Sequence, residues 1–316
     1  MLSTSLLLPD SALGAGVKCD AWPAWQRFKL LYLSHDGRII DASSEAQITT
    51  SEGQSSALFF ALVGNDREAF DRILRWTHNN LSGSQLERLL PARRWGRDHD
   101  GAWRVLDSHS ATDANLWIAY TLGEASRLWN EQRYASLGAD IAENILRQEG
   151  GRLNPRDLPL VVIRGLQRQT KDPLWTEIER FAEQVILGST LDGFEYDTIR
   201  IYLWAGMLPA SDPTRDKLLD ALKPALEDVA KRAAPLETVG PPGGSAALLP
   251  MLANARMTAT LQLHRQRAAD GSLQDNQSHY SDALALFGLG WLEQRYRFNR
   301  SGVLTVRWTP ASDRTH

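Results

Sequence analysis

Three carboxylates in this chain stand where acid and base chemistry on a sugar would need them. Glu52 lies in Thr50-Ser51-Glu52-Gly53-Gln54, Asp113 closes Ser110-Ala111-Thr112-Asp113, and Asp197 opens Asp197-Thr198-Ile199-Arg200 just after Tyr196. Hydrolysis of a glycosidic bond needs carboxyl groups on both sides of one sugar, one to protonate the leaving oxygen and one to act on the attacking water. A single acid cannot perform both tasks, and a carboxylate pair needs no cofactor. Gly53, next to Glu52, reads as a position that clears space for a ligand.

Each acid also has an ordinary explanation. Ser51-x-x-Gln54 has the form of a capping box, with Ser51 as N-cap, and Ser110-x-x-Asp113 resembles the same cap. The helix dipole favours an acidic residue in a first turn whether or not it does chemistry. Asp197 and Arg200 have i, i+3 ion-pair spacing, worth about 0.2–0.5 kcal/mol. What raises all three above these readings is their joint occurrence at the starts of three helices, each running on into apolar sequence.

The elements that must position them are helical. Apolar residues recur at three- and four-residue spacing and alternating β-branched runs are scarce, so the fold class is all-α. The pattern predicts twelve helices near 21–34, 53–63, 66–79, 112–130, 132–148, 156–169, 173–188, 196–207, 213–234, 244–253, 256–268 and 279–294. Twelve helices joined by alternating short and long connections can form six hairpins in a ring, an inner barrel of six within an outer six. The long connections are 35–50 and 80–111, the second read as a loop that carries Trp95 and Trp103. Gly240-Pro241-Pro242-Gly243-Gly244 reads as a rigid turn, and Val303–Trp308 alternates enough for a short strand but reads as easily as an extended arm.

Composition narrows the function. Of 316 residues, 43% are hydrophobic and 23% charged, and the net charge of −3 gives no reason to expect a nucleic-acid partner. No segment is long and apolar enough to predict a membrane span. Eleven tryptophans fit either sugar stacking or a Trp-rich core. The seven histidines have neither His-Glu-x-x-His nor paired-Cys spacing, so no metal site is expected. There is no P-loop, dinucleotide fingerprint or Gly-x-Ser-x-Gly elbow. Cys19 is alone, so no intrachain disulfide can form. Residues 1–19 read as an N-terminal extension or a signal remnant, 20–308 as one catalytic domain and 309–316 as a tail.

Three stretches, Thr49–Gln54, Asp107–Asp113 and Tyr196–Trp204, resemble family 8 glycoside hydrolases. The likeness runs from about residue 20 to 308. Trp22-Pro23-Ala24-Trp25, the stretch Asn65 to Asn80, and Phe287-Gly288-Leu289-Gly290-Trp291 resemble the family's endoglucanases that accompany bacterial cellulose synthase. The resemblance implies an (α/α)6 toroid that hydrolyses β-1,4-glucan with inversion, in the periplasm or outside the cell, with a functional link to cellulose synthesis. By that resemblance Glu52 matches the proton donor and Asp197 the general base. Asp113 matches the acid that holds the sugar at the cleavage point, Tyr196 and Arg200 flank the base, and Trp95 matches an aromatic that stacks on a glucosyl ring. The chain departs from the family pattern in three shortened segments, near 147–154, 188–196 and 236–244. Arg156-Asp157 also stands where the family has Ser-Tyr. A more open groove is expected, and two further readings stand beside the first: a glycan-binding toroid with reduced catalysis, and the same chemistry on xylan or chitosan.

Overall fold

Two kinds of helix alternate along the chain. In Ser51–Val63 (α2) only Glu52 and Ser56 escape burial, whereas Arg67–Leu81 (α3) buries one stripe through Ala69, Phe70, Ile73, Trp76, Thr77 and Leu81. A helix apolar on every side must be surrounded, and one with a single apolar stripe must lie outside it. The sequence obeys this division. The inner helices are α2, Thr112–Trp129 (α4), Leu160–Thr170 (α6), Tyr196–Gly206 (α8), Pro242–Asn254 (α10) and His279–Leu292 (α12). Each touches the next in that order, and α12 touches α2, so the ring closes.

Outside lie α3, Gln132–Glu149 (α5), Leu174–Gly188 (α7), Pro213–Lys231 (α9) and Thr258–Gly271 (α11), each packed on the inner helix that precedes it. Pro23–Tyr32 (α1) packs on α12, so the beginning and end of the fold supply the sixth pair. This computed structural model describes residues 21–41, 43–150, 153–154, 157–188, 196–231, 242–274 and 278–309, with backbone alone at positions 196, 197, 229 and 231. Among these residues the expected twelve helices are present. The expected N-terminal extension with Cys19, nearly all of the tail, and most of the three shortened segments lie outside them.

The centre of the ring is aromatic. Phe59 of α2 stacks against Phe287 of α12 at 5.4 Å and meets Trp117 of α4 at 4.8 Å, and Trp117 meets Trp204 of α8 at 5.3 Å. Burying side chains of this size contributes roughly 1.5–3 kcal/mol each. A hairpin of Tyr296–Phe298 (β4) and Leu304–Val306 (β5) packs into this cluster, and the Tyr296 hydroxyl donates to the Phe287 carbonyl at 2.8 Å. Of the two readings of Val303–Trp308, the strand is the one that holds, as β5.

Two expectations are corrected. The 80–111 connection is not a structureless loop: Ala92–Arg97 (β2) and Trp103–Ser110 (β3) form an antiparallel hairpin, and Thr49–Thr50 (β1) adds a third strand beside β2. Most of β3 faces solvent, so its sequence lacks the alternation that marks a half-buried strand. Pro242, Gly243 and Gly244 are not part of a turn, because α10 begins at Pro242. A Cβ at Gly243 would fall 2.4 Å from the Ser281 carbonyl oxygen, so this glycine permits α10 and α12 to approach closely.

Candidate active site

The start of α2 is held from both sides. Thr50 ends β1 in an extended conformation and its hydroxyl accepts the Gly53 N–H at 3.0 Å, which makes Thr50 the N-cap, not Ser51 as the capping-box pattern predicts. Gln54 does not close that box either. Its buried amide accepts from the Ile39 N–H at 2.7 Å and donates to the Gly37 carbonyl at 3.2 Å and the Thr77 hydroxyl at 3.0 Å, pinning the 37–39 segment and α3 to the helix. Glu52, the second residue of α2, is left at the edge. Its carboxylate receives the Ser51 hydroxyl at 3.2 Å and lies 3.4 Å from Arg93 Nε, on an arginine that is itself more than half exposed.

Gly53 has a different reason from the one expected. A Cβ there would lie 3.1 Å from the ring of His279 and 3.4 Å from Ile39. The space this glycine opens is filled by the protein, not kept for a ligand.

Asp113 occupies the same place in α4, its second residue, but not through a Ser110 cap. Ala111 is the N-cap, and the Ser110 and Thr112 hydroxyls turn instead to Glu149 at the end of α5, the latter at 2.8 Å. The Asp113 side chain is 14% exposed and forms an ion pair with Arg200 of α8. Burial pushes the Asp113 carboxyl above its ordinary value, Arg200 opposes the rise, and the charge of Glu52 adds to it.

Arg200 joins more than one acid. Its other amino group donates to Asp157 at 2.8 Å, just ahead of α6, and Asn154 donates to the second Asp157 oxygen at 2.9 Å. The starts of α4, α6 and α8 are thus tied through one guanidinium. Asp197 is the second residue of α8, as Glu52 is of α2 and Asp113 of α4. The side chains of Tyr196 and Asp197 lie outside the described ones. Asp157 was legible in the sequence only as a departure from a family pattern, since its partner Arg200 is 43 residues away.

The strand that precedes α2 is part of a sheet that carries aromatic side chains. Thr49 pairs with Trp95 and Thr50 with Arg94, so the strand that leads into α2 also fixes β2. Trp95 stacks on Trp103 at 5.0 Å with planes 12° apart, meets the edge of Trp76 at 5.3 Å, and has the Arg38 guanidinium 4.6 Å from its ring. Trp103 is 41% exposed and carries the open surface of this pair. Eight other tryptophans, among them Trp25, Trp117 and Trp175, are buried, so core packing accounts for most of the tryptophan content.

Among the described residues, one grouping has metal-ligand proximity: Asp98, His99 and Asp100 in the β2–β3 turn. Arg104 and the backbone N–H groups of Asp100 and Ala102 already engage Asp98 there. No helix among the described residues is long and apolar enough to cross a membrane.

Comparison with known proteins agrees with this arrangement. The family model described as glycosyl hydrolases family 8 matches residues 6–152. An endoglucanase of Escherichia coli O157:H7 is 36% identical, the match covering 100% of this chain and 98% of that protein. An endoglucanase of Xanthomonas axonopodis pv. citri is 38% identical over 98% of this chain and 96% of its own length. The first alignment spans 370 residues against 316 here, so that relative carries segments this chain lacks. The crystal structure of an endo-1,4-D-glucanase from Vibrio fischeri ES114 superposes with a TM-score of 0.82 at 34% identity, covering 91% of this chain and 99% of that one. A cold-adapted family 8 xylanase, at 14% identity and a TM-score of 0.64, shares the fold. With relatives of this identity matched along nearly their whole length, and a closed ring of six inner and six outer helices, the chain belongs to glycosyl hydrolase family 8 and has its (α/α)6 toroid fold.

Proposed function

We propose that this glycoside hydrolase is an inverting endo-β-1,4-glucanase that cleaves cellulose or cello-oligosaccharides, acts in the periplasm or outside the cell, and serves bacterial cellulose synthesis. One observation carries the reading. Glu52 and Asp113 stand at the same position of adjacent inner helices, close enough to feel each other's charge, and Arg200 ties the start of α8, with Asp197, to Asp113. The starts of three inner helices, each with an acid as its second residue, are therefore linked at one end of the ring. The likeness of the whole chain to endoglucanases supplies the substrate class.

In this mechanism Glu52, at the open edge of the site, protonates the oxygen of the departing chain. Asp197 takes a proton from water as that water attacks the anomeric carbon from the opposite face. Inversion requires room for the water, roughly 6.5–9.5 Å between the two carboxyl groups. Asp113 accepts hydrogen bonds from the sugar at the cleavage point, and Arg200 with Tyr196 orients the base. Trp95, in its pair with Trp103, offers the flat apolar face on which a glucosyl ring stacks.

Release of reducing ends from carboxymethylcellulose, xylan and chitosan tests the substrate, and NMR of the first-formed product tests the stereochemistry. Fastest turnover of the cellulose derivative with the α-anomer appearing first is the expected result. Preference for xylan or chitosan would overturn the substrate assignment, binding of cellopentaose without turnover would overturn the assignment as an enzyme, and a β-anomer would overturn inversion.

A further inference from the structure

His279 is a buried titratable residue that the mechanism above leaves unused. It is the first residue of α12, its side chain is 7% exposed, and it touches the start of α2 from behind. Its ring is what a Cβ at Gly53 would strike, at 3.1 Å, and its Nε2 lies 3.5 Å from the Thr50 hydroxyl that caps the helix. The other ring nitrogen, Nδ1, is buried, has no hydrogen-bond partner among the described residues, and faces an Asp41 carboxylate oxygen at 3.7 Å. The edge of Tyr32 closes the remaining side, with ring centres 6.4 Å apart.

The charge of Asp41 favours one tautomer. A carboxylate only accepts, so the nitrogen that faces Asp41 is the one that carries the hydrogen. In that tautomer Nε2 is a lone pair that can accept from the Thr50 O–H, whose oxygen already receives the Gly53 N–H. Burial lowers the proton affinity of the imidazole, with Asp41 opposing. A line of polar contacts thus runs from Asp41 through His279 and Thr50 to the backbone on the far side of Glu52.

We propose that His279 is a positioning residue for the proton donor: it fills the space opened by Gly53 and orients the Thr50 cap, and so sets the angle at which the first turn of α2 presents Glu52. This inference rests on Glu52 being the acid. Glu52 lies between Thr50 and Gly53 in the chain, so a displacement of that turn moves its carboxyl, and misplacement by about 1 Å can cost on the order of a hundredfold in rate.

The test is a double-mutant cycle of Gly53→Ala and His279→Ala, read by kcat, KM and the midpoint of urea unfolding. Gly53→Ala alone is expected to lower kcat on the order of tenfold with little change in KM, and to lower the unfolding midpoint. In the His279→Ala background the same added methyl is expected to cost almost nothing. Equal cost in both backgrounds, with a raised KM, would mean that Gly53 makes room for the sugar and would overturn the proposal. Two further variants separate positioning from packing: His279→Leu should lose kcat at unchanged KM, and His279→Gln, which restores an acceptor, should recover most of it. If Leu and Gln behave alike, the ring is filling space only and the proposal fails. Failure of the acid assignment is distinguishable, because Glu52→Gln would then stay active while the Gly53 and His279 coupling persisted in the unfolding midpoints.

Discussion

Glu52 and Asp113 occupy equivalent positions, each the second residue of an inner helix in contact with the other's, and each lies beside an arginine, but the two arginines differ: Arg93 is more than half exposed and Arg200 is largely buried. Asp113 is buried against Arg200, which Asp157 also engages. Glu52 stands at the edge of the site beside an exposed arginine and a neighbouring serine. A helix dipole acts alike on both, so it cannot assign their roles. What separates them is access and fixation: the carboxyl held only by an exposed arginine and a serine can reach a departing oxygen, and the one clamped by a buried arginine can hold a sugar in place. This is the pattern by which two acids in one site acquire different tasks.

The comparison is broken most severely at the acid and the base. Glu52→Gln and Asp197→Asn are each expected to reduce kcat on cello-oligosaccharides by roughly 10²–10⁴-fold while leaving the thermal unfolding midpoint nearly unchanged. Next in size is Arg200→Met, which leaves Asp113 and Asp157 facing each other without a cation. Breaking a largely buried pair of this kind costs about 3–5 kcal/mol, measured by urea unfolding at neutral pH. That cost should shrink as pH falls, since protonated carboxyls need no counter-ion.

A smaller effect sharpens the contrast. Because the folded chain raises the Asp113 pKa, it holds a proton at pH values where the unfolded chain has lost it. The associated stability is complete below the ordinary carboxylate value of 3.8 and is lost as pH rises through the raised one. Asp113→Asn should remove that downward slope, as shown by unfolding midpoints taken across this window. The smallest change belongs to the other acid: Arg93→Ala breaks an exposed ion pair and should alter stability by about 0–1 kcal/mol, with salt masking the difference.

Much of the fold was legible because inner and outer helices differ in composition. The all-round burial of α2 and α12 and the single stripe of α3 follow directly from the spacing of their apolar residues. The caps were read one residue away from where they lie. Thr50 and Ser51 are both good N-caps, and the choice falls to Thr50 because its pairing with Arg94 fixes it in an extended conformation. Ser110 was unavailable because its hydroxyl is turned toward Glu149. Glu52 and Asp113 could be read locally as candidates, from a short motif at a helix start. Asp157 and His279 could not, since each owes its place to a partner far along the chain: 43 residues separate Asp157 from Arg200, and 229 separate His279 from Thr50.

The claim that Glu52 gives the proton and Asp113 does not is tested most directly with a substrate that needs no proton donor. An aryl cellotrioside with a dinitrophenolate leaving group departs without protonation, so kcat/KM for Glu52→Gln and Asp113→Asn should be compared on it and on cellopentaose. The account predicts that Glu52→Gln stays within about tenfold of the parent on the aryl substrate while falling at least a hundredfold on cellopentaose, and that Asp113→Asn loses comparably on both. Equal losses on the two substrates for Glu52→Gln, or selective rescue of Asp113→Asn, would contradict it.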